Sequence, residues 1–271
     1  MISFIHIGKT GGTSVNKFLH NLLRENINYK QYHINKDYNK NEKYIIWLRN
    51  PLSRFVSAFN MSYCIIRDYK IIYSKIPPKE LSFKNCLAPG RVKQCIINKQ
   101  PFVFSKIYDN LVSFFKNPNT LAESLSSTNI ELRKKAKILM SLPDEHIFKG
   151  IGWYLNNGKF IKNKNNKILF VGKLETMDSD IQLLKETLIK NNIDIKTSIQ
   201  NTENTENTEN RSLKIIRKNI YIKDESKYLS PLAIQNLIEW YKNTDYTALQ
   251  QLKEYDWITQ ETLDSYYTYN I

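Results

Sequence analysis

The sequence predicts an α/β protein: a central parallel sheet flanked by helices on both faces. Three stretches carry that expectation. "FIHIGKTGGTSV", Phe4 to Val15, runs an apolar strand into a glycine loop and then into an amphipathic pattern. "YIIWLRNPLSRFVSAF", Tyr44 to Phe59, runs a second apolar strand into a helix opened by a proline. "KILFVGKLETMDSDIQLLKETL", Lys167 to Leu188, repeats the strand-then-helix pattern. Strands alternating with helices are the signature of parallel pairing through crossovers.

Taken in order, Ile2–Ile7 reads as a short buried strand. From Thr13, the residues Val15, Phe18, Leu19, Leu22 and Leu23 recur at helical spacing. A short strand is expected before His33, and Tyr44–Leu48 is a core strand. Pro51 sits where the first turn of a helix tolerates it, and Phe55, Val56 and Phe59 give that helix an apolar face. Residues 65–165 read as a helical insertion on the acceptor side, with "KIPPKELSF" a loop and "DNLVSFFKN" and "IELRKKAKILMSL" helices. Ile168–Val171 is a strand, and Met177, Ile181, Leu184 and Leu188 form a helical stripe. "NTENTENTEN", Asn201 to Asn210, holds no apolar residue, so 199–212 is expected to be a disordered surface loop. Ser230 is placed to cap a helix opened by Pro231 and running to Tyr241. Residues 1–271 together read as one domain with this insertion.

With 271 residues, 41% of them hydrophobic, the chain is long enough for a sizeable core. No apolar run approaches a membrane span, and no basic-then-apolar leader precedes the first strand. The expectation is a soluble cytoplasmic protein; a trimmed enzyme of the Golgi lumen reads the same way. The net charge of +14 favours anionic partners, although richness in Lys and Asn throughout gives the same charge by drift. The basic residues are spread and match no nucleic-acid motif, so no nucleic-acid partner is expected. Cys64, Cys86 and Cys95 lack the spacing of a zinc site. They are expected as thiols, with a Cys86–Cys95 bridge only in an oxidising compartment.

A glycine loop between a strand and a helix is a ready anion site, because free amides and the helix dipole point at the ligand. Gly8, Gly11 and Gly12 allow close approach, Lys9 adds charge, and Thr10, Thr13 and Ser14 add hydroxyls. "GKT" invites the phosphate-loop reading of a nucleoside triphosphatase. That motif needs a glycine five positions before Gly8, where this chain has Ser3. Its metal-holding strand ends in aspartate, whereas "YIIWL" ends in Arg49. A cation at that tip favours a second anionic group and no metal. Arg49 and Ser57 are expected to hold it, a guanidinium fork with a hydroxyl. Arg54, on the same helix, is either a further contact or an ion-pair partner on the helix.

"FIHIGKTGGTS" followed by "LRNPLSRFVSAF" resembles the 5′-phosphosulfate loop and the 3′-phosphate motif of the carbohydrate sulfotransferases. The branch is the one that includes the heparan sulfate 2-O- and 6-O-sulfotransferases. "LFVGKLETMDSDIQLLKETL" and "YLSPLAIQNLIEWYKNTDY" resemble its later segments, and 65–165 has no counterpart. The chain departs from many members at Gly8, where they carry proline. The resemblance implies a fold like that of the P-loop-containing nucleoside triphosphate hydrolases and the donor 3′-phosphoadenosine 5′-phosphosulfate (PAPS). It implies sulfuryl transfer to a hydroxyl of an acceptor, a carbohydrate or another hydroxyl compound, with an acidic glycan among the candidates. Lys9 would stabilise the leaving phosphate, and Thr10, Gly11, Gly12, Thr13 and Ser14 would hold the 5′-phosphosulfate. Arg49 and Ser57 would hold the 3′-phosphate. His33 is the first candidate for the base, from its interval in related enzymes, ahead of His146 and the carboxylates Asp37 and Glu42. His6 reads as a core residue and His20 as solvated. Arg217 and Lys218 are candidates for the far end of the cofactor, or a solvated basic stretch. A kinase-like or other P-loop nucleotide-binding protein, and an inactive nucleotide-binding homologue, are the alternative readings.

Overall fold

A computed structural model describes residues 1–24, 27–32, 42–75, 105–143, 146–196 and 227–269, with the backbone alone for 67–75. The expectations for His33, Asp37, Cys86, Cys95, 199–212, Arg217 and Lys218 lie outside the described residues, as does the "KIPPKELSF" loop beyond Lys75. The contacts divide the chain into two compact units. The first comprises Met1–Arg54, Lys149–Ile220 and Ile238–Asn270, and the second Phe55–Phe148 with Tyr221–Leu237 and Ile271.

The first unit holds a four-stranded sheet built from β1 (Ile2–Ile5), β2 (Tyr29–Tyr32), β3 (Lys43–Leu48) and β4 (Ile168–Lys173), in the order β2-β1-β3-β4. All three pairings are parallel. Parallel strands need crossovers, so both sheet faces are covered and the strands read as continuous apolar runs. Burial follows that rule. Ile2, Phe4, Ile45, Trp47 and Leu169 pack on Val15, Leu19 and Leu22 of helix α1 (Gly12–Leu22). Met177, Leu184 and Leu188 complete this layer from the helix Met177–Lys190. On the opposite face Tyr44 meets Phe160 edge to face, ring centroids 5.1 Å apart. β1 is two residues shorter than the apolar run suggests. The chain turns at once after it, with the Ile7 N–H bonding back to Ile5 C=O at 3.1 Å.

Helix α2 (Pro51–Lys75) begins in the first unit and continues into the second. The second unit adds α3 (Lys106–Phe115), α4 (Pro118–Ser124) and α5 (Ile130–Ser141). α3 and α5 fall in the two stretches of the insertion that read as helices. α6 (Ile151–Tyr154) and α7 (Lys159–Lys164) precede β4, and α8 is the helix Met177–Lys190. α9 (Pro231–Tyr241) opens as expected: Ser230 Oγ accepts the Ala233 N–H at 3.2 Å. A single π turn (Lys242–Tyr246) joins it to α10 (Thr247–Glu254), and α11 is Gln260–Ser265. Among the described residues, no helix is long and apolar enough to cross a membrane.

Candidate anion-binding site

The strand order places β1 beside β3, and the crossover that leaves β1 for β2 runs one way along the sheet while the crossover that leaves β3 for β4 runs the other. In an open parallel sheet the crevice at such a switch point, outside the C-terminal strand ends, is where ligands bind. The glycine loop follows β1, and Arg49 follows β3. The two expected anion-binding segments therefore leave the sheet at neighbouring tips of the same edge.

The loop has the backbone of an anion cradle. Lys9 has φ 73° and Gly11 φ 81°, both left-handed, while Thr10 between them does not. Alternation of this kind turns successive N–H groups toward a common point. Gly11 is the N-cap residue of α1 and offers no side chain to its amides, and no acidic residue stands in the first turn. The dipole of α1 is thus left open to an anion. Thr10 is fully buried, and its hydroxyl donates to Ile7 C=O at 2.9 Å, which closes the loop from inside. Its contribution to a ligand is therefore through its backbone. Thr13 is exposed and Ser14 half-buried, as is Lys9.

Two glycines are steric requirements. A Cβ on Gly12 would lie 2.0 Å from His6 Cδ2. His6 is 8% exposed, bonds through Nδ1 to the Gln31 side chain and stacks on Phe4. It is the satisfied core histidine that the sequence suggested. A Cβ on Gly11 would lie 2.7 Å from Met177 Cε and 2.8 Å from Leu174 Cδ1, on top of the strain of a positive φ.

At the second tip, Arg49 Nη1 donates to Lys9 C=O at 3.1 Å, tying the two segments together. Burial lowers the Arg49 pKa, and the neighbouring Glu175 opposes that shift. Asn50 is the N-cap of α2: its Oδ1 accepts the Leu52 N–H at 2.9 Å and the Ser53 N–H at 3.3 Å. Its Nδ2 donates to Ser265 C=O at 3.2 Å and Thr268 C=O at 2.8 Å. Glu175, just past β4, accepts the Asn50 N–H at 2.8 Å and the Tyr266 O–H at 3.2 Å. Asn50 and Glu175 were missed in the sequence. Asparagine before Pro51 was a readable capping signal, whereas nothing near Glu175 advertised its partners.

Arg54 is not on the surface. It is fully buried, 3.8 Å from the Asp245 carboxylate, and Nη1 donates to Lys149 C=O at 3.1 Å. Asp245 also accepts the Gly152 N–H at 2.8 Å. Burial raises the Asp245 pKa while Arg54 pulls it down. Arg54 also lies near the Tyr154 phenol, which hydrogen-bonds the Gly8 backbone. Arg54 is a structural support of the loop region rather than a surface ion-pair partner.

The remaining candidates separate by position. Ser57 is half-buried on α2, within the second unit. His20 is exposed on α1, edge-on to Tyr29 at 5.0 Å. His146 is half-buried in a turn of the second unit. Glu42 is 2% exposed and accepts from Ser3 Oγ and Tyr32 Oη, both at 3.0 Å. It precedes β3 and so sits at the sheet edge opposite Arg49, about 20 Å away along six residues of strand. Among the described residues no group of three or more His, Cys, Asp or Glu side chains is arranged to hold a metal ion. Comparison with protein-family models, with curated proteins and with solved structures finds no match for this chain.

Proposed function

We propose that this protein is a sulfotransferase that moves a sulfuryl group from PAPS to an acceptor hydroxyl, the acceptor being a carbohydrate. The observation that carries this reading is the pairing at one sheet edge. An uncapped cradle with Lys9 stands beside a strand tip that ends in Arg49, and the two are joined by a hydrogen bond. A donor with two separated anionic groups matches two adjacent cationic sites. A triphosphate with its metal calls instead for a carboxylate where Arg49 stands. The fold it implies is the P-loop-like one, of which the parallel sheet with flanking helices is the coarse form.

The residues then divide the work. The amides of Gly11, Gly12, Thr13 and Ser14, with the Thr13 and Ser14 hydroxyls, would hold the 5′-phosphosulfate, and the Thr10 backbone would add to them. Arg49 and Ser57 would hold the 3′-phosphate. Sulfuryl transfer breaks one S–O bond to the phosphate as another forms to the acceptor oxygen, so negative charge grows on the leaving phosphate. Lys9 would stabilise that charge, the position where a cation accelerates the reaction. His33, the residue after β2, would take the acceptor proton as a neutral imidazole, whose ordinary pKa of about 6.5 suits the task.

The test is transfer of labelled sulfate from PAPS, run side by side on polysaccharides, lipids and tyrosine peptides. Label in a polysaccharide is the expected result. Calorimetric binding of adenosine 3′,5′-bisphosphate without transfer to any acceptor would make the protein a nucleotide-binding homologue. Failure to bind that nucleotide would overturn the reading.

A further inference from the structure

We propose that the outer face of α3 and α5, in the second unit, is a docking surface for an anionic lipid membrane, on which the protein lies without spanning it. The face combines large apolar side chains left in water with lysines around them, the pairing that an interfacial contact uses. It is separate from the candidate anion site and does not depend on how that site is read.

Helical spacing builds the face. α3 buries Tyr108, Leu111, Val112 and Phe115 on one side. Ile107 and Phe114 fall outside that side, seven residues and so about 10 Å apart along one stripe. They are 48% and 49% exposed. α5 buries Ala136, Leu139 and Met140 and turns Ile130, Lys134 and Lys137 outward, the i, i+4, i+7 stripe. Ile130 is 68% exposed. The two helices meet at the surface, where Lys135 Nζ of α5 lies over the Phe114 ring, 4.6 Å from its centroid.

The charge on this face has one sign. Lys106 and Lys116, at the two ends of α3, are exposed, as are Lys134 and Lys137. Within the two helices Glu131 is the one exposed acid, since Asp109 is half-buried. A soluble polyanion would use the lysines, but it offers nothing against which to bury Ile107 and Ile130. A bilayer surface offers both layers: headgroup phosphates for the ammonium groups, and the acyl boundary beneath them for the apolar side chains. The lysine stems bridge the two depths. The anionic leaflet supplies the attraction, about fivefold in affinity for each lysine near it.

The experiment is cosedimentation of the whole chain with two kinds of vesicle, phosphatidylcholine alone and equal parts phosphatidylcholine and phosphatidylserine. The wild type should pellet with the mixed vesicles and stay in solution with phosphatidylcholine. Lys134→Ala with Lys137→Ala should weaken binding to the mixed vesicles about 25-fold, the product of two such lysines. Ile107→Ser with Ile130→Ser changes no charge and should also weaken it severalfold. Both double variants replace exposed side chains, so their melting temperatures should stay near that of the wild type. A wild type that ignores the mixed vesicles, or pellets equally with both kinds, overturns the proposal. Undiminished binding in the lysine variant overturns it too, by placing the attraction elsewhere on a chain of net charge +14. Loss in the lysine variant with none in the isoleucine variant would make the face a site for soluble polyanions and overturn the membrane assignment.

Discussion

At Gly12 one hydrogen atom stands where a methyl group would overlap the His6 ring. Gly12→Ala should therefore destabilise the protein by roughly 1–3 kcal/mol, the usual range for overpacking a filled site. His6→Ala in the same chain should recover part of that loss, which urea denaturation of the single and double variants would reveal. Equal stability of Gly12→Ala and wild type would mean that the ring moves aside freely. Lys9 and His33 are separable by kinetics. Lys9→Ala should lower the turnover rate more than it weakens binding of adenosine 3′,5′-bisphosphate, because its charge is matched to the transition state. His33→Ala should cut turnover by about 10²–10⁴-fold, the span of general-base catalysis, with nucleotide affinity unchanged. Normal turnover in that variant would move the role of base to His146 or to a carboxylate, Asp37 or Glu42.

Among the elements, α2 shows how one cap serves two purposes. Asn50 caps the helix through Oδ1 and holds the Ser265 and Thr268 carbonyls through Nδ2. Asn50→Ala should cost about 3 kcal/mol, roughly 1 for the cap and about 1 for each carbonyl bond. Asn50→Asp keeps the cap acceptor and loses the two donors, so its stability should fall between the other two in chemical denaturation. A fall for Asn50→Asp as large as for Asn50→Ala would show that the cap contributes little. The strands were legible as continuous apolar runs and the long helices by apolar spacing or by an N-terminal Pro: α1, β3, α2, β4, α8 and α9 stand where those signals put them. The short helices α4, α6 and α7 were not legible. They run for only seven, four and six residues, too short for a helical repeat to show, and packing rather than propensity makes them helical. The site divides the same way. Its loop amides and Arg49 were visible as local signals, but Glu175 reaches a partner 125 residues back. A contact of that separation leaves no periodic trace.

For the molecule as a whole, the sign of the charge at the two strand tips is what matters. The first unit puts Arg49 at the strand tip where a metal-dependent nucleotide enzyme keeps a carboxylate. Sulfate transfer should therefore survive EDTA, and a complete loss restored by magnesium would return the triphosphatase reading. The bonds from Asn50 carry a further consequence, about time. They span 215 and 218 residues. Synthesis runs from the N-terminus, and contacts this distant in sequence form late. On a ribosome the glycine loop is made long before the tip beside it can close, because Asn50 waits for partners 215 and 218 residues further on. A nascent chain halted at residue 260 would carry every residue of the loop without the segment that latches Asn50. Such a chain, released and purified, should bind adenosine 3′,5′-bisphosphate far more weakly than the 271-residue chain, so the arrival of Ser265 and Thr268 decides when the loop begins to work.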